Sequence, residues 1–198
     1  MDAKTNFLQN YELEGERLKI FTLPAPVLKK VAEPVTEFND ELKQLAKDML
    51  FTMYKAPGVG LAAPQVGKSI RMFVVDIDYN REETTLADGS TDYILSEFNP
   101  QVYINPVFKE KDGEVVCEEG CLSVPGIYEE VKRAEHIVLE WQDLEGNTHS
   151  QEFEGFRAVC LQHENDHLDG IVFLDRLSLL KKNLLTKKFL KTKKKKGL

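Results

Sequence analysis

Residues 163–167 read His-Glu-Asn-Asp-His. Side chains four apart share one face of a helix, so His163 and His167 present two imidazoles together with the Glu164 carboxylate beside them. Two neutral imidazoles hold a first-row metal but leave it undersaturated, so a third protein ligand must come from elsewhere, with one position open for water. Cys121 is the best candidate. It lies 42 residues upstream in Glu119-Gly120-Cys121-Leu122-Ser123, where Gly and Ser suggest a turn or strand end. A thiolate with two imidazoles suits Zn(II), Fe(II) or Ni(II) rather than Mg or Ca, and the pattern does not choose among the three. A metal in such a site lowers the pKa of water towards neutrality, and Glu164 is placed to take the released proton as general base.

A bare HExxH string also arises by chance, so its setting matters. Phe156, Val159, Cys160, His163 and His167 fall at helical steps, which makes the histidines part of an apolar, core-facing stripe. A zinc endopeptidase shares the base and two of the ligands. Such enzymes usually take a third ligand downstream, but no His follows His167, and Cys121 is the better match. A catalytically silent metal-binding or ribosome-associated protein is the rival reading from another class.

The elements that must position these groups can be read in outline. Leu42, Leu45, Ala46, Met49, Leu50 and Met53 recur at helical steps, with Asn39 as N-cap and Pro57-Gly58 as the stop, which predicts a helix over 40–55. Leu-Lys-Ile-Phe-Thr-Leu at 18–23 reads as a short strand, and residues 58–67 as a Gly-rich loop before an apolar strand around 71–77. The glycines of that loop suit close approach of a substrate backbone, which could pair there as an added strand. A phosphate cradle does not fit, since no Gly-Lys-Ser/Thr follows. Residues 78–98 read as a surface loop or hairpin insertion. Strands are expected at 114–118, 127–133, 136–142 and 148–153, the last pair turning at Glu145-Gly146-Asn147. The class is therefore α+β, with largely antiparallel sheets packed around a central metal-binding HExxH helix and a C-terminal helix.

At 198 residues, 42% apolar and 30% charged, the chain has the size and composition of one globular domain. No apolar run reaches membrane-spanning length, and the first residues lack a signal-type apolar core, so a cytoplasmic protein without a membrane partner is expected. Three cysteines fit a reduced compartment better than a disulfide framework. The net charge of −7 hides an asymmetry: residues 181–198 hold nine lysines and no acid, leaving −16 on the remainder. Three regions follow: a polar extension over 1–17, a catalytic domain over 18–180, and a Lys-rich helix and tail over 181–198. Leu180, Leu184, Leu185 and Phe189 offer a stripe that can pack on the body, with the chain loose from Lys191 onward. That tail suits an anionic surface such as RNA, and no specific DNA binding is expected.

Three segments stand in order: Gly58-Val59-Gly60-Leu61-Ala62-Ala63-Pro64-Gln65, then Glu119-Gly120-Cys121-Leu122-Ser123, then Gln162 through Gly170 around the HENDH string. Together they resemble the three signature motifs of the peptide deformylase family, and the resemblance spans roughly residues 18–180. It implies a cytoplasmic, bacterial-type hydrolase in protein biosynthesis. Such an enzyme removes the formyl group of N-formylmethionine from nascent chains, an N-terminal processing step. It also implies Cys121, His163 and His167 as ligands of one metal ion, generally Fe(II) with Ni(II) or Zn(II) accommodated, and Glu164 as the catalytic acid and base. The Gln65 side chain and Leu122 backbone N–H would stabilise the oxyanion. Val59, Gly60, Cys117, Gly120, Val159 and Cys160 are the substrate-binding candidates by position, with Tyr128 at the mouth. Glu119 and Arg133 are expected to steady the ligands as an ion pair. The Lys-rich C-terminus would face the ribosome. The 78–98 insertion is longer than the common bacterial type shows.

Overall fold

Met72-Phe73-Val74-Val75 is buried at every position, and its alternation sets the architecture. Strand side chains alternate faces. Met72 and Val74 enter one core with the helix α1 (Asp40–Lys55), whereas Phe73 and Val75 enter another with the helix α2 (Gly155–Leu168). The sheet is thus covered on both sides, which is why this strand reads as a continuous apolar run.

The computed structural model describes residues 7–86, 88–89 and 91–196. Its main sheet has the strand order β1-β2-β5-β8-β9, with β1 Gly60–Ala62, β2 Met72–Val75, β5 Gln101–Asp112, β8 His136–Gln142 and β9 Thr148–Glu154, and every pairing is antiparallel. Two hairpins stand apart from it: β3 (Asn80–Thr85) with β4 (Thr91–Ser96), and β6 (Val115–Gly120) with β7 (Tyr128–Arg133). The first is the 78–98 insertion. The C-terminal helix α3 runs Leu179–Lys196. No described helix is long and apolar enough to cross a membrane.

α1 begins where Asn39 accepts a hydrogen bond from the Leu42 N–H at 3.0 Å. α2 ends in a motif that satisfies its last carbonyls: Ile171 N–H donates to Asp166 C=O and Gly170 N–H to His167 C=O, with Gly170 at φ +71°. The final turn, which carries His167, is therefore pinned.

Five expectations are corrected. Residues 18–23 join no ladder, and Leu23 already stands in a turn, because their N–H groups are taken singly, Phe21 by Gln65 C=O and Leu23 by Ser123 C=O. The 58–67 stretch is not all loop: β1 begins at Gly60, and a 3-10 turn at Ala63–Val66 follows. Phe156 leaves the buried stripe, since it sits in the first turn of α2 and is 52% exposed. In α3, Phe189 is buried and Leu185 packs beside it, but Leu180 and Leu184 stay exposed. Nor is the chain loose from Lys191. It is helical to Lys196, and Lys193 Nζ donates to the Leu23 C=O at 2.9 Å. Residues 197–198 and 1–6 lie outside the described residues.

Residues 7–18 lie along α1. Glu16 N–H donates to Asp48 at 2.8 Å and Leu18 N–H to Thr52 at 2.9 Å, while Phe7, Leu8, Tyr11 and Leu13 pack on the α1 core.

Candidate metal centre and its cleft

α2 is buried on all sides from Ala158 to Leu168, so its polar residues must find partners inside the protein. Ala158, Leu161 and Leu168 face the sheet. On another side Asp166 accepts from Arg133 Nη1 at 2.6 Å and from Arg176 Nε at 3.0 Å. His163 and His167 turn toward the β6 end, where the turn after Gly120 brings Cys121 alongside.

One donor atom each from Cys121, His163 and His167 lies within 4.8 Å of the others, with Cys121 Sγ 3.3 Å from His167 Nε2. Among the described residues this is the one such group. His163 Nδ1 is 2.8 Å from Glu119, which leaves Nε2 free to face inward. Glu119 is itself held by Arg133 through Nε at 2.7 Å and Nη2 at 2.9 Å. Burial opposes the Glu119 charge, but the Arg133 and His163 hydrogen bonds outweigh it and hold its pKa down to about 2. The carboxylate is ionised and orients the imidazole.

One sulfur and two imidazole nitrogens, buried and convergent, form a donor set suited to a transition metal. In the protein alone the two imidazoles differ. Burial opposes a proton on His163, yet the Cys121 sulfur and Glu119 carboxylate overcome it, whereas burial and the positive His163 and Arg133 hold His167 neutral.

Glu164 Oε2 is buried with no hydrogen-bond partner among the described residues, and burial pushes the pKa of this carboxyl up to about 7. Its neighbour is the backbone of β1. A Cβ on Gly60 would lie 2.8 Å from Glu164 Cδ, so only glycine leaves room. Gln65 sits in the 3-10 turn after β1. Its Oε1 accepts from the Ala62 N–H at 2.8 Å, and its Nε2 is 3.2 Å from Ser123 Oγ and 3.5 Å from Cys121 Sγ. The amide is thereby fixed with its NH₂ toward the cluster. The Leu122 N–H has no hydrogen-bond acceptor among the described residues.

These groups open into a cavity of about 430 Å³. Val59, Gly60, Gly120, Tyr128, Val159 and Cys160 line it, with Tyr128 65% exposed at the rim. Cys117 does not: it shares the face of β6 that carries Glu119 but stands two residues further from the Cys121 turn, outside the lining. Ile127, which the sequence did not mark, lines the cavity too, as does Phe156, which the sequence assigned to the buried stripe instead. Ser123 was missed as well. It accepts from Gln65 and donates to the Phe21 C=O at 2.8 Å, tying Gln65 to the cysteine turn. A polar residue in a short Gly- and Pro-flanked turn was the available signal.

A model of the polypeptide deformylase family matches residues 17–183. The peptide deformylase of Novosphingobium aromaticivorans is 46% identical over 182 residues, covering 89% of this chain and 97% of that protein. That of Wolinella succinogenes is 46% identical over 177 residues, covering 88% and 96%. Among solved structures, a peptide deformylase from Legionella pneumophila superposes with a TM-score of 0.76 at 41% identity, covering 91% of this chain and 98% of that one. The deformylase of Synechococcus elongatus, solved in complex with actinonin, gives 0.73 at 36% identity, covering 87% and 85%.

Proposed function

The chain belongs to the polypeptide deformylase family, and from that premise we propose how its residues carry out the reaction. It is a hydrolase that removes the formyl group from the N-terminus of nascent peptides, releasing formate, and the family is one of metalloenzymes. Cys121, His163 and His167 hold one divalent ion, with Fe(II) the physiological metal and Ni(II) or Zn(II) able to replace it. Convergence of those three donor atoms within 4.8 Å beside an unpartnered buried carboxylate is the observation that carries this assignment. When bound, the metal polarises the formyl carbonyl and makes water nucleophilic at neutral pH.

The rest falls to the chain. Glu164 takes a proton from the attacking water at its free Oε2 and delivers it to the amide nitrogen as the C–N bond breaks, so formate and a free amine leave. As charge grows on the formyl oxygen, Gln65 Nε2 and the Leu122 N–H donate to it. The hydrogen bond from Ala62 N–H to Gln65 Oε1 keeps that amide from reorganising. The methionine side chain enters the apolar cavity between Val59, Val159 and Cys160, and the following residues leave past Gly120 and Tyr128, pairing with the Gly58–Gly60 backbone. Tyr128 carries no chemistry there.

Cys121→Ala tests the ligand set: metal content should fall from one ion per chain and formate release from a formyl-Met peptide should fall with it. Retention of both would remove Cys121 from the site. The exposed lysines of α3, including Lys187, Lys191 and Lys194, dock on the anionic ribosome in the cytoplasm. Changing these three to Glu should weaken cosedimentation with ribosomes and spare formyl-peptide turnover; unchanged cosedimentation would refute the docking.

A further inference from the structure

A second cavity, of about 320 Å³, shares no lining residue with the first. Its wall carries four cations, Lys111, Lys132, Arg133 and Arg176, and one carboxylate, Glu114. Three of the cations are matched. Lys132 Nζ is 2.7 Å from Glu114, Arg133 is gripped by Glu119 and Asp166, and Arg176 Nε donates to Asp166 at 3.0 Å.

Lys111 is not matched. It has no carboxylate in ion-pair reach among the described residues, and its Nζ stands 3.9 Å from the centroid of the Phe108 ring. Burial lowers its pKa; Asp166 and, more weakly, Asp169 offset this, while Arg176 and Arg133 add to it, and Asp169 is itself paired with Arg71 at 2.8 Å. The ammonium group therefore sits among cations whose counter-charges are already engaged elsewhere. A small anion would supply the missing charge.

The donors also have a shape. Arg176 uses Nε and Nη2 on Asp166, and among the described residues its Nη1 has no hydrogen-bond partner, while Lys111 on β5 and Lys132 on β7 add to the wall from two other elements. Donors supplied by three separate elements suit a tetrahedral oxyanion better than a planar carboxylate, whose two oxygens pair best with a single guanidinium fork. We propose that this cavity binds a phosphate-type oxyanion, free or as the phosphoryl group of a small ester, between Lys111, Lys132 and Arg176. Arg133 forms the buried floor and is already spent on Glu119, so the variable charge of the site rests with Lys111.

The test titrates the metal-loaded full-length chain with inorganic phosphate, and in a second arm with a nucleoside 5′-monophosphate, at ionic strength held constant with chloride. Calorimetry and the Arg176 side-chain N–H resonances report binding. Saturable one-to-one binding is expected, weakened about ten-fold in Lys111→Gln and retained in Lys111→Arg, with formate release unchanged in both variants. Tighter binding of the ester would mark an esterified phosphate as the natural ligand, and equal binding a free one. No saturation by about 20 mM phosphate, or undiminished binding in Lys111→Gln, would overturn the proposal, the latter placing the anion at the metal instead.

Discussion

Replacing Glu119 by Gln removes one charge while keeping the shape of the side chain, and three hydrogen bonds register the loss. Two come from Arg133, at 2.7 and 2.9 Å, and one joins His163 Nδ1 at 2.8 Å. Arg133 and Glu119 are each about 6% exposed, so water cannot replace the lost charge. Breaking a buried pair by neutralising one partner costs about 3–5 kcal/mol. Asp166 still accepts from Arg133 Nη1 at 2.6 Å, so the guanidinium is not left alone and the lower end, about 3 kcal/mol, applies. For a chain of this length that is a fall in melting temperature of about 6–12 °C. The metal centre should suffer separately, because Glu119 fixes the His163 tautomer and ring; loss of such support typically costs about 10- to 100-fold in metal affinity. Thermal unfolding of the metal-free chain reads the first effect, and the rate of metal transfer to a chelator reads the second. A variant that melts within about 2 °C of the parent and holds its metal equally well would refute the idea that this carboxylate supports the site.

Two further outcomes are expected. Gly60→Ala forces a methyl group against the Glu164 carboxylate, so turnover should drop by about 100-fold or more with metal content unchanged; near-normal turnover would show that Glu164 can work from another position. Burial opposes the charge of Asp175, but Lys182 and Lys29 outweigh it and hold its carboxyl below the usual range, so its stabilisation is present above the ordinary Asp pKa and is lost as pH falls through the lowered one. Protection of the α3 amides against hydrogen exchange, relative to their intrinsic rates, should therefore fall below about pH 4, and Asp175→Asn should show low protection already at neutral pH; full, pH-independent protection in both proteins would contradict this.

What the sequence disclosed depended on range. The His163, Glu164 and His167 arrangement is local, and helical spacing alone puts those groups together. Strands β6 to β9 were legible for a similar reason, since alternation and the Glu145-Gly146-Asn147 turn act over a few residues. The Arg133, Asp166 and Arg176 network was not, because it joins a strand to α2 and to the turn after it, and charge pairing at that separation leaves no periodic trace. Phe156 was misplaced because a helical stripe says which face a residue shares, not that the first turn opens on a cavity. Lys193 looked free for want of any acid nearby, yet its partners are the Thr22 hydroxyl and the backbone carbonyls of Thr22 and Leu23, far away in the chain.

Formate release from a formyl-Met tripeptide, followed in anaerobically Fe(II)-loaded protein beside its Glu164→Ala variant with metal measured in both, tests the central claim most directly. One metal ion per chain in each protein with formate produced only by the parent is the predicted result. Comparable turnover in the variant, or an active parent without metal, would contradict the account.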